Sequence, residues 1–407
     1  MRVIYFHQYF TYPELGGGTR SYEFARRFVE AGHEVHMIAS WRGESEHTTW
    51  FQTEVEGIKV HWLPVDYTNR MGFLARVRSF ASFAFGACRY VARLRGDVVF
   101  ATSTPLTIAI PGIYAAKQLK VPLVFEVRDL WPEAPRQMGE IKNQFLFWLA
   151  TRLEFAAYRN SAHIVALSPG MKAGVLASGV PKHRVSMIPN SCDLDLFHPG
   201  ICGLEQRRKL EVGDRLMLAY FGTMGPANGL DFVLDAAAEL KGRGQTGVVF
   251  VLHGDGKMRP HLERRKAVEG LDNVIFSGPS DKLTVTRLAA AADVGLTIFK
   301  NVPILYTCSP NKMFDTLAAG RPVLTNMPGW LTDTVEQNGC GIGVRPDDPS
   351  DFANKVQWLL ANRERLPEMG RKARELAERD FSRDVLAGQL LSVLERAVAA
   401  KPPVNRE

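Results

Sequence analysis

Short, uninterrupted apolar runs alternate along the chain with longer stretches whose apolar residues recur at helical spacing. This is the rhythm of a βα-repeating, mostly parallel sheet. Residues 2–7, 32–38, 97–101, 121–127 and 185–188 read as strands or turn-plus-strand, and 55–64 as a strand or hairpin. The segment 163–171 reads as a strand passing into a helix capped by Ser168. After residue 20 a helix turns Phe24, Ala25, Phe28 and Val29 inward. Over 70–96 the residues Phe73, Val77, Phe80, Ala84, Ala87, Val91 and Leu94 form one continuous helical stripe. Residues 144–158 make a second, aromatic helix. The pattern pauses at 198–214, rich in proline, glycine and charge, which reads as a linker. It restarts with strands at 216–221, 247–252, 273–278, 291–298, 322–324 and 339–342 and closes with helices at 350–379 and 383–399. Two α/β domains follow, 1–200 and 201–382, each long enough for its own core.

Composition adds limits. Hydrophobic residues at 46% and charged residues at 23% are ordinary for a globular protein. A net charge of +7 permits anionic ligands without selecting one. Cys88, Cys192, Cys202, Cys308 and Cys340 contain no Cys-x-x-Cys pair and suit free thiols in a reducing compartment. No cleavable leader and no membrane-spanning apolar stretch is read. Between residues 70 and 96 lie Arg70, Arg76, Arg78, Arg89, Arg93 and Arg95 and no acid. This helix is either core with a solvated basic face or a surface for anionic lipid, at ~1 kcal/mol per arginine; the two are compatible.

Candidate chemistry gathers where strands end. Gly16-Gly17-Gly18 between strand and helix can aim amides at an anion, and Arg20 reads as a solvated arginine or a phosphate partner. His33 and His36 read as structural. Arg128-Asp129-Leu130-Trp131-Pro132-Glu133 puts charge at a strand's C-terminal end, where open α/β sheets place sites; Asp129 and Glu133 suit acceptor contact or a base, with a structural Arg–Asp pair as the rival. Pro310–Asn326 reads as loop, helix and strand, with Met313, Phe314 and Leu317 apolar and Lys312 and Asp315 one turn apart. That pair is either a solvated ion pair or a phosphate-and-ribose contact.

Phe314-Asp315-Thr316-Leu317-Ala318-Ala319-Gly320-Arg321-Pro322-Val323 resembles the second half of the signature of retaining glycosyltransferases of family 4. The variant here is similar to that of a subset building O-antigen and capsule sugars, including N-acetyl-deoxyhexosamine transferases, and Arg128–Glu133 resembles the same subset. Pro189-Asn190-Ser191-Cys192-Asp193 resembles the family's interdomain connection, so Asp193-Leu194-Asp195 is read as turn-capping and not metal-binding. The resemblance implies the GT-B fold: two Rossmann-like domains facing across a cleft, the last helix 383–399 returning to the first. It implies donor contacts at Gly17, Gly18, Gly222, Thr223, Gly254, Phe276, Ser309, Asn311, Lys312 and Asp315, and catalytic roles for Arg128, Asp129 and Glu133. It also implies a UDP-sugar donor, no metal or other cofactor, and a polyprenyl-diphosphate-linked saccharide as acceptor. The setting would be the inner face of the cytoplasmic membrane, peripherally attached, without nucleic acid. Three departures stand out: Thr307 replaces the family's first glutamate, and Thr223 and Asn228 replace its two phosphate-gripping cations. Amides of Gly222–Gly225 and Lys312 are then expected to carry the phosphate charge. The other readings are a nucleotide-sugar 2-epimerase of the same fold and a non-catalytic sugar- or lipid-binding scaffold.

Overall fold

The computed structural model describes residues 1–15, 18–43, 46–66 and 71–400. The chain divides into two compact units, Met1–Pro189 with Asp384–Glu407, and Asn190–Arg383.

The first unit carries strands β1 (Arg2–Phe6), β2 (Glu34–Trp41), β3 (Phe51–Val55), β4 (Ile58–Pro64), β5 (Val98–Thr102), β6 (Leu123–Val127), β7 (His163–Ala166) and β8 (Val185–Met187). Their order is β3-β4-β2-β1-β5-β6-β7-β8, parallel except for the β3–β4 hairpin. The helices are α1 (Arg20–Glu30), α2 (Phe73–Val91), α3 (Ala109–Leu119), α4 (Glu133–Gln137), α5 (Gln144–Asn160) and α6 (Pro169–Ala177). Successive residues of β1 point to opposite faces, and both faces are buried. Val3 and Tyr5 meet Phe24 and Phe28 of α1 and Leu386, Leu390 and Leu394 of the C-terminal helix, Arg383–Ala399. Ile4 and Phe6 meet Phe83, Ala87 and Val91 of α2 and Ala115 of α3.

The α2 stripe differs from expectation. Phe83, Ala87 and Val91, four residues apart, enter the core, whereas Val77 is 43% exposed and Phe80 only half-buried. The N-terminal half of α2 borders a cavity instead of the sheet.

The second unit has strands β9 (Leu216–Phe221), β10 (Val248–His253), β11 (Val274–Ser277), β12 (Val294–Thr297), β13 (Val323–Thr325) and β14 (Gly341–Gly343). They form an all-parallel sheet ordered β11-β10-β9-β12-β13-β14. Its helices are α7 (Leu204–Lys209), α8 (Asp231–Gly242), α9 (Arg259–Glu269), α10 (Lys282–Ala291), α11 (Asn311–Ala318), α12 (Trp330–Gln337), α13 (Pro349–Ala361) and α14 (Leu366–Asp380). α8, α9 and α13 cover one face of the sheet; α10, α11, α12 and α14 cover the other.

Three boundaries shift from the sequence reading. The units divide at Pro189–Asn190, before residue 200, because Asn190 N donates to Ser309 Oγ (3.0 Å) and Cys192 N to Phe381 O (3.0 Å). The supposed linker contains α7, whose Arg207 donates to Ala291 O (2.9 Å) and Arg215 O (2.7 Å). The helix expected at 350–379 is two, α13 and α14, since Pro367 lacks an amide hydrogen and starts the second.

At the C-terminal ends of β1, β5 and β6, Arg20 is buried, neither solvated nor offered to a phosphate. It donates from Nη2 to Glu126 Oε1 (2.8 Å) and Ile188 O (3.0 Å), and Thr102 donates to Glu126 Oε2 (2.6 Å). Burial pushes the Glu126 carboxyl up, but Arg20, Arg128 and these bonds outweigh it and leave it below its ordinary value. Breaking such a pair leaves a buried charge without its partner, at a cost of about 3–5 kcal/mol. Arg20→Met is expected to lose stability of that size in urea denaturation, with Arg20→Met/Glu126→Leu recovering most of it. A single-variant loss below about 1 kcal/mol would remove this role.

Candidate functional site

In the second unit the polar residues collect where β9, β10 and β11 end. β9 runs into Gly222, whose φ of +139° lies in glycine's range. Gly254, at φ +135°, packs so closely that a side chain there would collide with the Gly222 carbonyl. His253 bridges Ser277 Oγ (2.8 Å) and Ser280 Oγ (2.9 Å), fixing the end of β11 beside half-buried Phe276.

This interlocking changes the expected phosphate cradle. Gly222 N donates to His253 O (3.0 Å), Met224 N to Asp255 O (2.8 Å) and Gly225 N to Asn228 Oδ1 (3.1 Å). Of the four amides from Gly222 to Gly225, only that of exposed Thr223 makes no bond among the described residues. The first turn of α8 is also occupied: Asp231 sits there and binds His261 (2.8 Å) and Arg265 (3.3 Å). The amide cradle is therefore largely spent on holding loops together, a correction to the sequence reading.

What remains is α11. It begins at Asn311 after Pro310 with no side-chain cap, and Met313 N bonds back to Pro310 O (3.1 Å). Lys312 in its first turn places Nζ 2.6 Å from Tyr220 Oη and 3.9 Å from the centre of that ring. A Cβ at Gly222 would lie 3.7 Å from the same Nζ, so the amine stands beside the β9 turn. Among the described residues no carboxylate lies within ion-pair distance of Lys312, so the solvated pair with Asp315, one of the two sequence readings, does not form. Loss of hydration alone brings the Lys312 amine down to about 7.

Asp315, on the same helix, has Oδ1 enclosed without a hydrogen-bond donor. Burial raises its carboxyl to about 6; Arg383 and Lys282 partly offset this, and Asp193 adds to it. Arg383 donates to Asp193 Oδ2 (2.9 Å), and Asp193 Oδ1 accepts from Leu196 N (3.0 Å), the turn cap read from sequence. Ser309 is buried, accepting from Asn190 at both its hydroxyl and its carbonyl, so its first task is this clamp. Thr307, at the missing glutamate's position, turns its hydroxyl to Ile304 O (2.7 Å).

In the first unit, Gly17 lies outside the described residues, and a side chain at Gly18 would meet only open space. Arg128 N donates to Ser103 Oγ (2.9 Å), and its Nη1 is 3.5 Å from His7 Nε2. Asp129 receives a long bond from Thr104 Oγ1 (3.4 Å), and burial holds its carboxyl up at about 6 against Arg128 and Thr104. It could accept a proton near neutrality. Glu133 opens α4 and accepts from Gln137 (2.9 Å); no described contact joins it to Asp129.

The sequence reading missed His7 and Gln8, at the end of β1. Both are buried, and His7 Nδ1 and both amide atoms of Gln8 lack partners. Burial, then Arg128 and Arg42, hold the His7 imidazole well below its usual range. A polar pair directly after an apolar first strand was the available signal. Among the described residues no three His, Cys, Asp or Glu side chains gather as a metal-ligand set.

Residues 16–191 match the family described as Glycosyl transferase 4-like domain, and residues 215–362 that described as Glycosyl transferases group 1. The chain is 24% identical, over 93% of its length and 96% of the relative's, to the putative colanic acid biosynthesis glycosyl transferase WcaI of Escherichia coli K12. Its fold is similar to that of sucrose-phosphate synthase from Thermosynechococcus elongatus, with a TM-score of 0.78 and 18% identity over 98% and 100% of the two chains. It is also similar to HepE from Anabaena in complex with UDP, with a TM-score of 0.71 and 17% identity over 97% and 100%.

Lys312→Met tests the buried cation. Below pH 7 the wild-type amine is charged in both folded and unfolded chains and its burial cost is complete. From about 7 to its unfolded value the unfolded chain binds more protons, so stability rises with pH. The variant is expected to melt higher than wild type at pH 6, with the gap narrowing towards pH 10. A gap independent of pH would mean the amine is hydrated.

Proposed function

Because the chain is a glycosyltransferase with the GT-B fold, we propose that it transfers a sugar, with retention of configuration, from a UDP-sugar to a lipid-linked saccharide. The sugar is an N-acetylated hexosamine or deoxyhexosamine and the acceptor's carrier a polyprenyl diphosphate. The product belongs to a surface polysaccharide. The observation that carries the donor half is the pairing on α11 of an uncompensated cation, Lys312, with a carboxylate whose Oδ1 lacks a donor, Asp315. A nucleoside diphosphate satisfies both: its phosphates meet Lys312 and the first amides of α11, and a ribose hydroxyl donates to Asp315. Charge developing on the leaving diphosphate is stabilised by the same groups, already fixed in place, without a divalent ion. HepE, of similar fold, is in complex with UDP, and WcaI, similar over nearly the whole chain, is named for colanic acid biosynthesis.

The acceptor half rests on the first unit. Asp129 is the base and Arg128 the neighbouring cation, both at the end of β6. Exposed Arg78 and Arg89 on α2, with exposed Arg93 in the turn just after it, make a basic outer face for anionic headgroups. No helix among the described residues is long and apolar enough to cross a membrane, so attachment would be peripheral.

Isothermal titration with UDP tests the donor site: Asp315→Ala is expected to weaken binding at least ten-fold, and unchanged affinity would take Asp315 out of it. Pelleting with phosphatidylglycerol vesicles tests attachment. The Arg78→Glu/Arg89→Glu/Arg93→Glu variant is expected to stay in the supernatant, and undiminished pelleting would end that part of the reading.

A further inference from the structure

The first unit contains a cavity of ≈ 380 Å³ between α2, the start of α3 and α5, within the size range of small-molecule sites. Its walls are mostly apolar, including Phe80, Leu106, Trp131 and Leu153, with the Arg76–Glu140 pair (3.6 Å) as its charged feature. Val77, Ile110 and Leu149 line it and are each 43% exposed, so it opens to solvent on its helical side. On the same two helices, α2 and α5, Phe85 is 61%, Phe145 64% and Trp148 49% exposed. Arg89 lies over the Phe85 ring (4.2 Å) and Arg152 over Trp148 (5.3 Å), the amphipathic pairing of a membrane interface.

The other end of the cavity leads to the chemistry. Thr104 lines it and also bonds Asp129. Tyr9 lines it too, with the Arg42 guanidinium 5.5 Å from the centre of its ring. Arg42 and Arg128 both act on His7, whose Nδ1 lacks a partner. The apolar slot therefore reaches from its open helical side to Tyr9, beside Arg42, and to Thr104, beside Asp129 and its neighbour Arg128.

We propose that this cavity takes the first isoprene units of the acceptor's lipid carrier, its diphosphate lying at Arg42, Arg128 and His7. The slot is too small for a whole polyprenyl chain, so the remainder stays in the bilayer. An amphiphile with one chain and an anionic head matches one narrow apolar slot ending in cations. The inference rests on the lipid-linked acceptor of the proposed function and assigns it a place.

The probes are farnesyl diphosphate, farnesol and inorganic diphosphate, titrated calorimetrically into the full chain. Farnesyl diphosphate is expected to bind at least ten-fold more tightly than either fragment. Ala81→Phe, at an exposed position of the cavity wall, and Leu149→Arg, at its opening, are each expected to weaken it at least ten-fold while UDP affinity stays unchanged. Arg42→Ala/Arg128→Ala is expected to reduce it to the level of farnesol. Inorganic diphosphate binding as tightly as the farnesyl compound, or both cavity variants binding normally, would overturn the proposal. So would equal competition by phosphatidylglycerol vesicles, which would assign the slot to a phospholipid chain. UDP titrated in the same samples separates the readings: retained UDP with no farnesyl diphosphate binding sinks only the cavity, and lost UDP binding in wild type sinks the donor site.

Discussion

A parallel strand covered by helices on both faces has no side along which it can carry charge, and both sheets of this protein are built that way. Val3 and Ile4, adjacent in sequence, are both fully buried on opposite faces of β1. The same holds for Leu218 and Ala219 of β9. Polar chemistry is thereby pushed to the strand ends, where backbone leaves the sheet and groups must find partners or remain unpaired. Most do find partners: Glu126 has Arg20 and Thr102, and His253 has two serines. Among those that do not are Asp315 Oδ1, His7 Nδ1 and the Gln8 amide, while Lys312 meets a hydroxyl but no carboxylate among the described residues.

Lys312 and Asp315 show how desolvation sets the character of a site. Neither is shifted by one dominant charge partner; burial is the leading cause for both, lowering the amine to about 7 and raising the carboxyl to about 6. A cation and an acid one turn apart on an exposed helix would pair weakly and be screened. Here Lys312 turns towards Tyr220 while the groups acting on Asp315 are Arg383, Lys282 and Asp193. The helix holds both groups buried and apart at a cost in stability. His7 shows the same effect: burial, then Arg128 and Arg42, keep its imidazole well below the usual range, and its Nδ1 lacks a partner.

Much of this fold was legible because the strands read as continuous apolar runs and the helices as stripes. Met313, Phe314 and Leu317 are buried as their spacing requires, and β4 lies within the strand or hairpin read at 55–64, though its hairpin partner β3 starts earlier, at Phe51. The misreadings involve partners far away in the chain. Arg20 looked solvated because Glu126 and the Ile188 carbonyl lie more than a hundred residues on. The loop after β9 looked like a free amide cradle because its bonds to His253 and Asp255 come from the next βα unit. Val77 and Phe80 fitted the α2 stripe by spacing, but spacing cannot tell a core from a cavity. Periodicity reports how an element faces its neighbours and is silent on which neighbour is there.

The three departures from the family pattern become consistent once the loops are seen together. Asn228 stands where a phosphate-gripping lysine is usual, and its side-chain oxygen closes the turn by accepting from Gly225 N. Thr223 stands in the arginine's place, and its carbonyl accepts from Tyr220 Oη (2.6 Å), the same hydroxyl that meets Lys312. The turn after β9 is thus locked through its own atoms, and its aromatic residue positions a lysine arriving from α11. The positive charge has moved from the turn to the neighbouring helix without leaving the strand-end region. A lysine held at one point by a tyrosine ring and hydroxyl is a more confined cation than one on a free loop, and less of its freedom remains to be lost when a phosphate binds. Thr307, in the place of the first acid, spends its hydroxyl on the Ile304 carbonyl and brings no carboxylate to this region.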